Sequence, residues 1–229
     1  MTICIKSQIQ NLNIVVGCNI GCSYCYARNN VRRFHEIEDF DKPEFFQGKL
    51  KMIERKKPRN FLLTGMSDLS GWEDEWREKI FACMEANLQH NYIFLTKKPE
   101  LLNIRTSMEN AWFGTSVTCQ SEKYRIQEIR KTVKAKHYHA TFEPMFDDIG
   151  EVDFTGIDWV VIGTETGKRK GKIDSRQEWV WNLTNQAHEM HIPVFMKEDL
   201  LPIIGDENMI QELPASFLNV VEAQKSWSN

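Results

Sequence analysis

The chain has no run of about 18 apolar residues, the length a helix needs to cross a bilayer, and its start, Met1 to Lys6, lacks the long apolar stretch of a secretory signal. No membrane association and a cytoplasmic setting are therefore expected. Low-complexity linkers and internal repeats are also missing, and 229 residues are enough for one sizeable core in the size range of an α/β barrel. Neither sign of charge dominates: a net charge of −3 argues against polyanion binding by bulk electrostatics and leaves only local basic patches for that purpose. Cysteine is sparse, six in all and unevenly spread, which does not make the disulfide framework of a small secreted protein and suits a reducing compartment.

Three of those cysteines stand on one short segment, Cys18-Asn19-Ile20-Gly21-Cys22-Ser23-Tyr24-Cys25. Thiolates bind soft iron well, and three of them on a four-iron cluster leave one iron without a protein ligand. Structural zinc is the competing reading. It requires four closed ligands, usually in two Cys-x-x-Cys knuckles, whereas this loop has gaps of three and two residues and no second knuckle. Cys4, Cys83 or Cys119 would have to supply the fourth sulfur. Gly17 and Gly21 allow the tight bend that brings nearby sulfurs together.

Beyond the loop, short β-branched and aromatic runs alternate with helical patterns, the signature of repeated βα units around a mainly parallel sheet. Strands are predicted over 13–16, 60–64, 92–96, 111–117, 137–142, 158–162 and 193–196. Helices are predicted over 43–56, 74–88, 100–106, 121–134 and 175–191, with a loop over 146–156. In the second helix Trp76, Ile80, Phe81 and Met84 recur at the three- and four-residue steps of one buried face. Right-handed crossovers make an incomplete barrel the natural arrangement of six or seven such units. The expected fold class is α/β, a partial (β/α)6-type barrel over 1–199 with a candidate seventh strand, and an extension over 200–229 that packs on or caps it.

Catalytic groups of a βα barrel come from the carboxyl ends of its strands, and nearly every apolar run here ends in one. After the cysteine loop these are Ser67 and Asp68, Thr96 and Lys97, Ser116, Glu143, Glu165, and Lys197 with Glu198. Each alone reads as a helix cap or solvated loop residue. Seven endings on one predicted face point to a site.

The cysteine loop resembles the iron–sulfur motif of the radical S-adenosylmethionine (SAM) superfamily. The stretches Thr64-Gly65-Met66-Ser67-Asp68, Leu95-Thr96-Lys97-Lys98-Pro99, Gly114-Thr115-Ser116-Val117, Phe142-Glu143-Pro144, Trp159 to Glu165 and Val194-Phe195-Met196-Lys197 follow in order. Together they resemble a phage-associated radical SAM family of unknown function, over nearly the whole chain; the spore photoproduct lyases are more distantly similar. Where that family usually carries Gly-Glu-Ser, this chain has Thr164-Glu165-Thr166, and Cys119 replaces its usual Asn or Asp.

The resemblance implies a [4Fe-4S] cluster on Cys18, Cys22 and Cys25, and reductive cleavage of SAM to a 5′-deoxyadenosyl radical that abstracts hydrogen from a substrate. An electron donor such as flavodoxin or ferredoxin is implied as a partner. It places Tyr24 near the SAM adenine and Gly65, Met66, Ser67 and Asp68 near the SAM amino group. Ser116 is the candidate for the ribose hydroxyls, and Glu165 for SAM or substrate. Glu143, Lys97 and Lys197 are candidate catalytic groups, with carboxylates and lysines able to bridge across the mouth. Cys119 is a candidate hydrogen-atom donor.

The substrate class stays open between a small molecule and nucleic acid. Two basic groups stand out, Arg28 to Arg33 and Lys168 to Lys172; the second follows the sixth strand and could border the mouth and hold a phosphate-containing substrate, while Trp179 and Trp181 lie two residues apart and so on different helix faces. An iron–sulfur electron-transfer or sensor protein, and a nucleic-acid-directed repair or modification enzyme, are the alternatives.

Overall fold

All seven predicted apolar runs lie in or beside one sheet. In the computed structural model, which describes residues 2–227, that sheet has strands β1 (Gln10–Asn11), β2 (Asn60–Leu62), β3 (Asn91–Thr96), β4 (Ala111–Ser116), β5 (His137–Phe142), β6 (Trp159–Ile162) and β7 (Val194–Met196). Their spatial order is their chain order, and every neighbouring pair is parallel. The result is the curled half-barrel expected of consecutive βα units. Among the described residues five helices of nine or more residues accompany it, α1 (Tyr26–Phe34), α2 (Asp74–Glu85), α3 (Tyr124–Thr132), α4 (Gln177–Glu189) and α5 (Ala215–Ser226), with a further single helical turn at Leu201–Ile204.

Side chains alternate across the strands as a two-residue period requires. Tyr92, Phe94 and Phe113 face the α2 side, where Ile80 and Met84 are fully buried and Trp76 and Phe81 pack against them. Val160, Ile162, Val194 and Met196 face α4 through Val180, Leu183 and Ala187. Between them Ile93, Trp159, Val161 and Phe195 turn to the concave side. Burial on both faces explains why these strands read as continuous apolar runs.

Three local predictions are corrected. The run at 13–16 contributes Val15–Val16 to an antiparallel pair with Glu44–Phe45, while Gln10–Asn11 forms the first strand of the main sheet. That pairing holds the start of 43–56 extended, and the rest becomes the 3-10 helix Gln47–Met52. The segment 100–106 likewise gives a 3-10 turn, Pro99–Leu101, then Ile104–Arg105 pairs in parallel with Val133–Lys134. Strand pairing overrides local helix propensity in both places.

The amino end of the half-barrel is plugged by α5. Phe217 is fully buried against Trp112, Trp159 and Phe195, and the side chains of Asn60 and Asn91 donate to the carbonyls of Phe217 and Ser216. Residues 2–9 link the two sheet edges: Ile5 N donates to Glu198 beyond β7, Cys4 Sγ donates to the same carboxylate, and Gln211 brackets Ile3.

One close approach fixes the interior. A Cβ on Gly114 would lie 2.3 Å from the His139 ring, so only glycine lets this imidazole pass over β4. His139 Nε2 meets the Phe94 carbonyl at 3.0 Å, and burial lowers its pKa from 6.5 to about 4. Gly114→Ala is expected to lower stability by about 2–3 kcal/mol through overpacking, read as a lower urea midpoint at unchanged slope; wild-type stability would contradict the contact. Between pH 6.5 and about 4 the unfolded chain takes up a proton that the native imidazole refuses. This contribution is therefore complete above the upper value and lost as pH falls through the window, about 3 kcal/mol in full. Urea titrations at neutral and acid pH should show a shallower pH slope for His139→Gln than for wild type; equal slopes would refute it.

Candidate active site

The carboxyl ends of the strands surround a cavity of about 560 Å³. All three loop cysteines line it, with Tyr24 and the 64–68 stretch on one side and Glu143, Glu165 and Lys197 on the other. Lys97 and Ser116 complete the wall between them. Cys119 is not among the lining residues. It begins the short turn Gln120–Glu122, with its sulfur 3.2 Å from Ser121 Oγ.

The thiol loop is docked on the rim by its backbone. Gly17 takes φ +111°, and a Cβ there would lie 2.7 Å from Pro43 Cα, so glycine is required where the chain enters the loop. Gly17 N donates to Met66 O at 3.0 Å and Cys18 N to Phe40 O at 2.7 Å. Cys25 caps α1, its sulfur accepting from Arg28 N at 3.4 Å. Burial, and then the nearby Asp68, Cys22 and Cys25, push the Cys18 thiol up to about 12, although a backbone hydrogen bond at Ile20 opposes them. A cationic group at the loop would reverse that bias, because metal binding takes the thiolate.

The donor set fits a multi-iron cluster. Among the described residues no three His, Cys, Asp or Glu side chains surround a single ion, and no fourth cysteine lines the cavity. Cys83 packs against the α2 core and Cys4 bonds to Glu198. Three soft sulfurs share one wall with open cavity beside them, a donor set whose chemistry an iron–sulfur cluster can use.

Asp68 is buried and heavily used. It accepts from Thr96 Oγ1 at 2.6 Å, Lys97 N at 2.8 Å, and Ser70 through both amide and hydroxyl. Its carboxylate thus caps the turn Leu69–Gly71 and clamps β2 to β3 while facing the cavity. Ser67 Oγ accepts from Trp72 Nε1, and Gly65 O accepts from the Tyr26 hydroxyl at 2.5 Å. Lys97 carries its ammonium 5.5 Å from the Tyr24 ring centroid, and Tyr24 meets Phe146 edge-on. Burial lowers the Lys97 pKa against the opposing pull of Cys22 and Asp68.

On the far side Lys197 pairs with Glu143, as a bridge across the mouth requires. Burial works against the Lys197 charge, yet Glu143 and Asp199 outweigh it and its pKa stands above the ordinary lysine range. Glu165 does not pair with either lysine. Arg169 grips it with two hydrogen bonds of 2.5 and 2.7 Å, holding its carboxyl below the usual range. The planar guanidinium fork matches a carboxylate where a lysine offers a point charge. The basic runs are thus partly neutralised internally: Arg169 by Glu165, Lys172 by Asp174 and Arg28 by Asp41. Trp179 and Trp181 pack on the α4 core and form no shared stacking platform.

The sequence model of a family described as protein of unknown function (DUF5131) matches residues 4–199. The chain belongs to the DUF5131 family. No curated protein matches it. Among solved structures, this DUF5131 chain is similar to a cysteine-to-alanine mutant of spore photoproduct lyase at a TM-score of 0.50 and 11% identity, covering 81% of this chain and 75% of that one. A double mutant of the same enzyme, with bound AdoMet and dinucleoside spore photoproduct, matches at a TM-score of 0.43 and 12% identity, covering 94% and 60%. The first likeness shows a shared partial-barrel fold.

Three cavity residues of the DUF5131 chain escaped sequence reasoning. Asp199 donates nothing and accepts from Thr164 N at 3.1 Å through Oδ2; its Oδ1 is buried without a partner. Burial raises its carboxyl to about 6, with Lys197 opposing and Glu143 reinforcing the shift. The polar run after β7 could have been followed one residue further to find it. His139 and Tyr26 gave no local signal, since one sits within a strand and the other opens a helix that is mostly polar. Arg169→Met would strand the buried Glu165 carboxylate without its partner and is expected to lower the urea midpoint. Adding Glu165→Gln should recover most of the loss; urea titrations showing additive losses would contradict the pairing.

Proposed function

We propose that this protein is a radical SAM enzyme, with Cys18, Cys22 and Cys25 holding a [4Fe-4S] cluster and SAM seated in the strand-end cavity. The observation that carries the reading is that all three thiols line the same cavity as the polar residues that end six of the strands. When bound, the cluster and SAM supply reductive carbon–sulfur cleavage and a 5′-deoxyadenosyl radical for hydrogen abstraction.

The chain's own residues supply the setting. Tyr24 offers an aromatic face beside the loop, and its partner Lys97 sets a cation next to Cys22, where an anionic group of SAM would be favoured. Gly65 to Asp68 form the wall nearest the thiols, with Asp68 locked by four donors so that its spare lone pairs face a fixed direction. Ser116 is the candidate ribose contact. Glu143, Lys197 and Asp199 face the substrate half of the cavity, where Lys197 is held charged and Asp199 is poised near neutrality to hold or release a proton. The packed floor of Trp159, Phe195 and Phe217 excludes water from below.

A pure electron-transfer protein has no use for a cavity of this size beside its cluster, which favours the enzyme. For the substrate we favour a small molecule or a single extruded group over an extended polyanion, because internal carboxylates already engage Arg28, Arg169 and Lys172 of the two basic runs. Anaerobic reconstitution with iron and sulfide, followed by SAM and reductant, should yield 5′-deoxyadenosine, and Cys18→Ala, Cys22→Ala or Cys25→Ala should each abolish it. An intact reduced cluster that leaves SAM uncleaved would overturn the assignment.

A further inference from the structure

The thiol loop is held at both ends by one residue that does not itself present a sulfur. Arg28 lies on the first turn of α1, and its guanidinium reaches back to the Cys18 carbonyl at 3.3 Å while gripping Asp41 with two hydrogen bonds of 2.9 and 2.6 Å. The same guanidinium lies 4.9 Å from the Phe40 ring centroid, and Phe40 O accepts from Cys18 N. At the other end the Arg28 amide donates to Cys25 Sγ. Cys18 is therefore clamped through both its N–H and its C=O to the 40–41 segment, and Cys25 is tied to the residue that makes the clamp. Cys22 is fastened elsewhere: its carbonyl accepts from Cys25 N at 3.2 Å, and its thiol meets the Tyr24 hydroxyl.

We propose that Arg28 is the positioning residue of the thiol loop, fixing Cys18 relative to Cys25 and setting the reduction potential of the cluster they hold. The second half rests on the cluster reading above; the brace itself does not. A guanidinium suits the role because its planar fork can bond Asp41 twice and still spare an N–H for the Cys18 carbonyl, which an ammonium on a flexible stem does not reproduce. Its charge lies close enough to Cys18 and Cys25 to feel theirs. Cluster potentials respond to net charge and to hydrogen bonds at the sulfurs, so a cation here stabilises the reduced, more negative state, and Asp41 moderates that effect. The pair thus predicts opposite signs: losing Arg28 should lower the potential, and losing the Asp41 charge should raise it.

Two measurements on Arg28→Gln, Arg28→Lys and Asp41→Asn test this. In iron-free full-length protein, iodoacetamide labelling followed by mass spectrometry should show Cys18 reacting at least about fivefold faster in Arg28→Gln and Arg28→Lys, with Cys83 unchanged as the internal reference. In reconstituted protein, potentiometric EPR titration should move Arg28→Gln negative and Asp41→Asn positive by about 30 mV each, a threefold change in the reduced-to-oxidised ratio of a one-electron couple. Arg28→Lys, which keeps the charge, should stay near the wild-type potential. Unchanged Cys18 labelling, or potentials that shift the same way or not at all, would overturn the proposal. Wild-type protein that takes up no iron would instead defeat the cluster reading, and the labelling would still decide the brace.

Discussion

Parallel pairing of consecutive strands forces every crossover to the outside of the sheet, so the carboxyl ends of all seven strands arrive at one rim. Everything chemical in this molecule depends on that constraint. The curl of the sheet turns residues far apart in the chain, such as Cys18, Lys97 and Lys197, toward one cavity. The thiol loop joins the rim because Gly17 lets the chain turn hard against Pro43 and continue as an extra bridge beside Ser67.

Charge is divided across the cavity. The thiol side carries three thiols and Asp68, with the Lys97 ammonium near Cys22 and the Arg28 guanidinium near Cys18 and Cys25. On the far side Glu143 is matched by Lys197 and Glu165 by Arg169, while Glu198 and Asp199 also line the wall and Asp199 keeps a buried oxygen without a partner.

The sheet was legible in the amino-acid sequence because strands buried on both faces are apolar throughout, as at Tyr92 to Leu95 or Trp159 to Ile162. The polar strand ends were legible for the same reason, since each interrupts such a run. What escaped depended on tertiary partners. Phe45 is extended because it pairs with Val15, and α1 folds although only Ala27 and Val31 of its nine residues are buried. The partner of Glu165 is not legible in sequence, because the loop carrying Arg169 reads as an exposed basic run until its carboxylate is seen beneath it.

The central claim is that three thiols on one bend hold an iron–sulfur cluster with a corner open to SAM, and EPR of the anaerobically reconstituted, reduced protein tests it most directly. The account predicts a four-iron signal whose g values change when SAM is added, and which is lost in Cys18→Ala, Cys22→Ala and Cys25→Ala. A signal indifferent to SAM, or protein that binds zinc through these cysteines and takes up no iron, would contradict it.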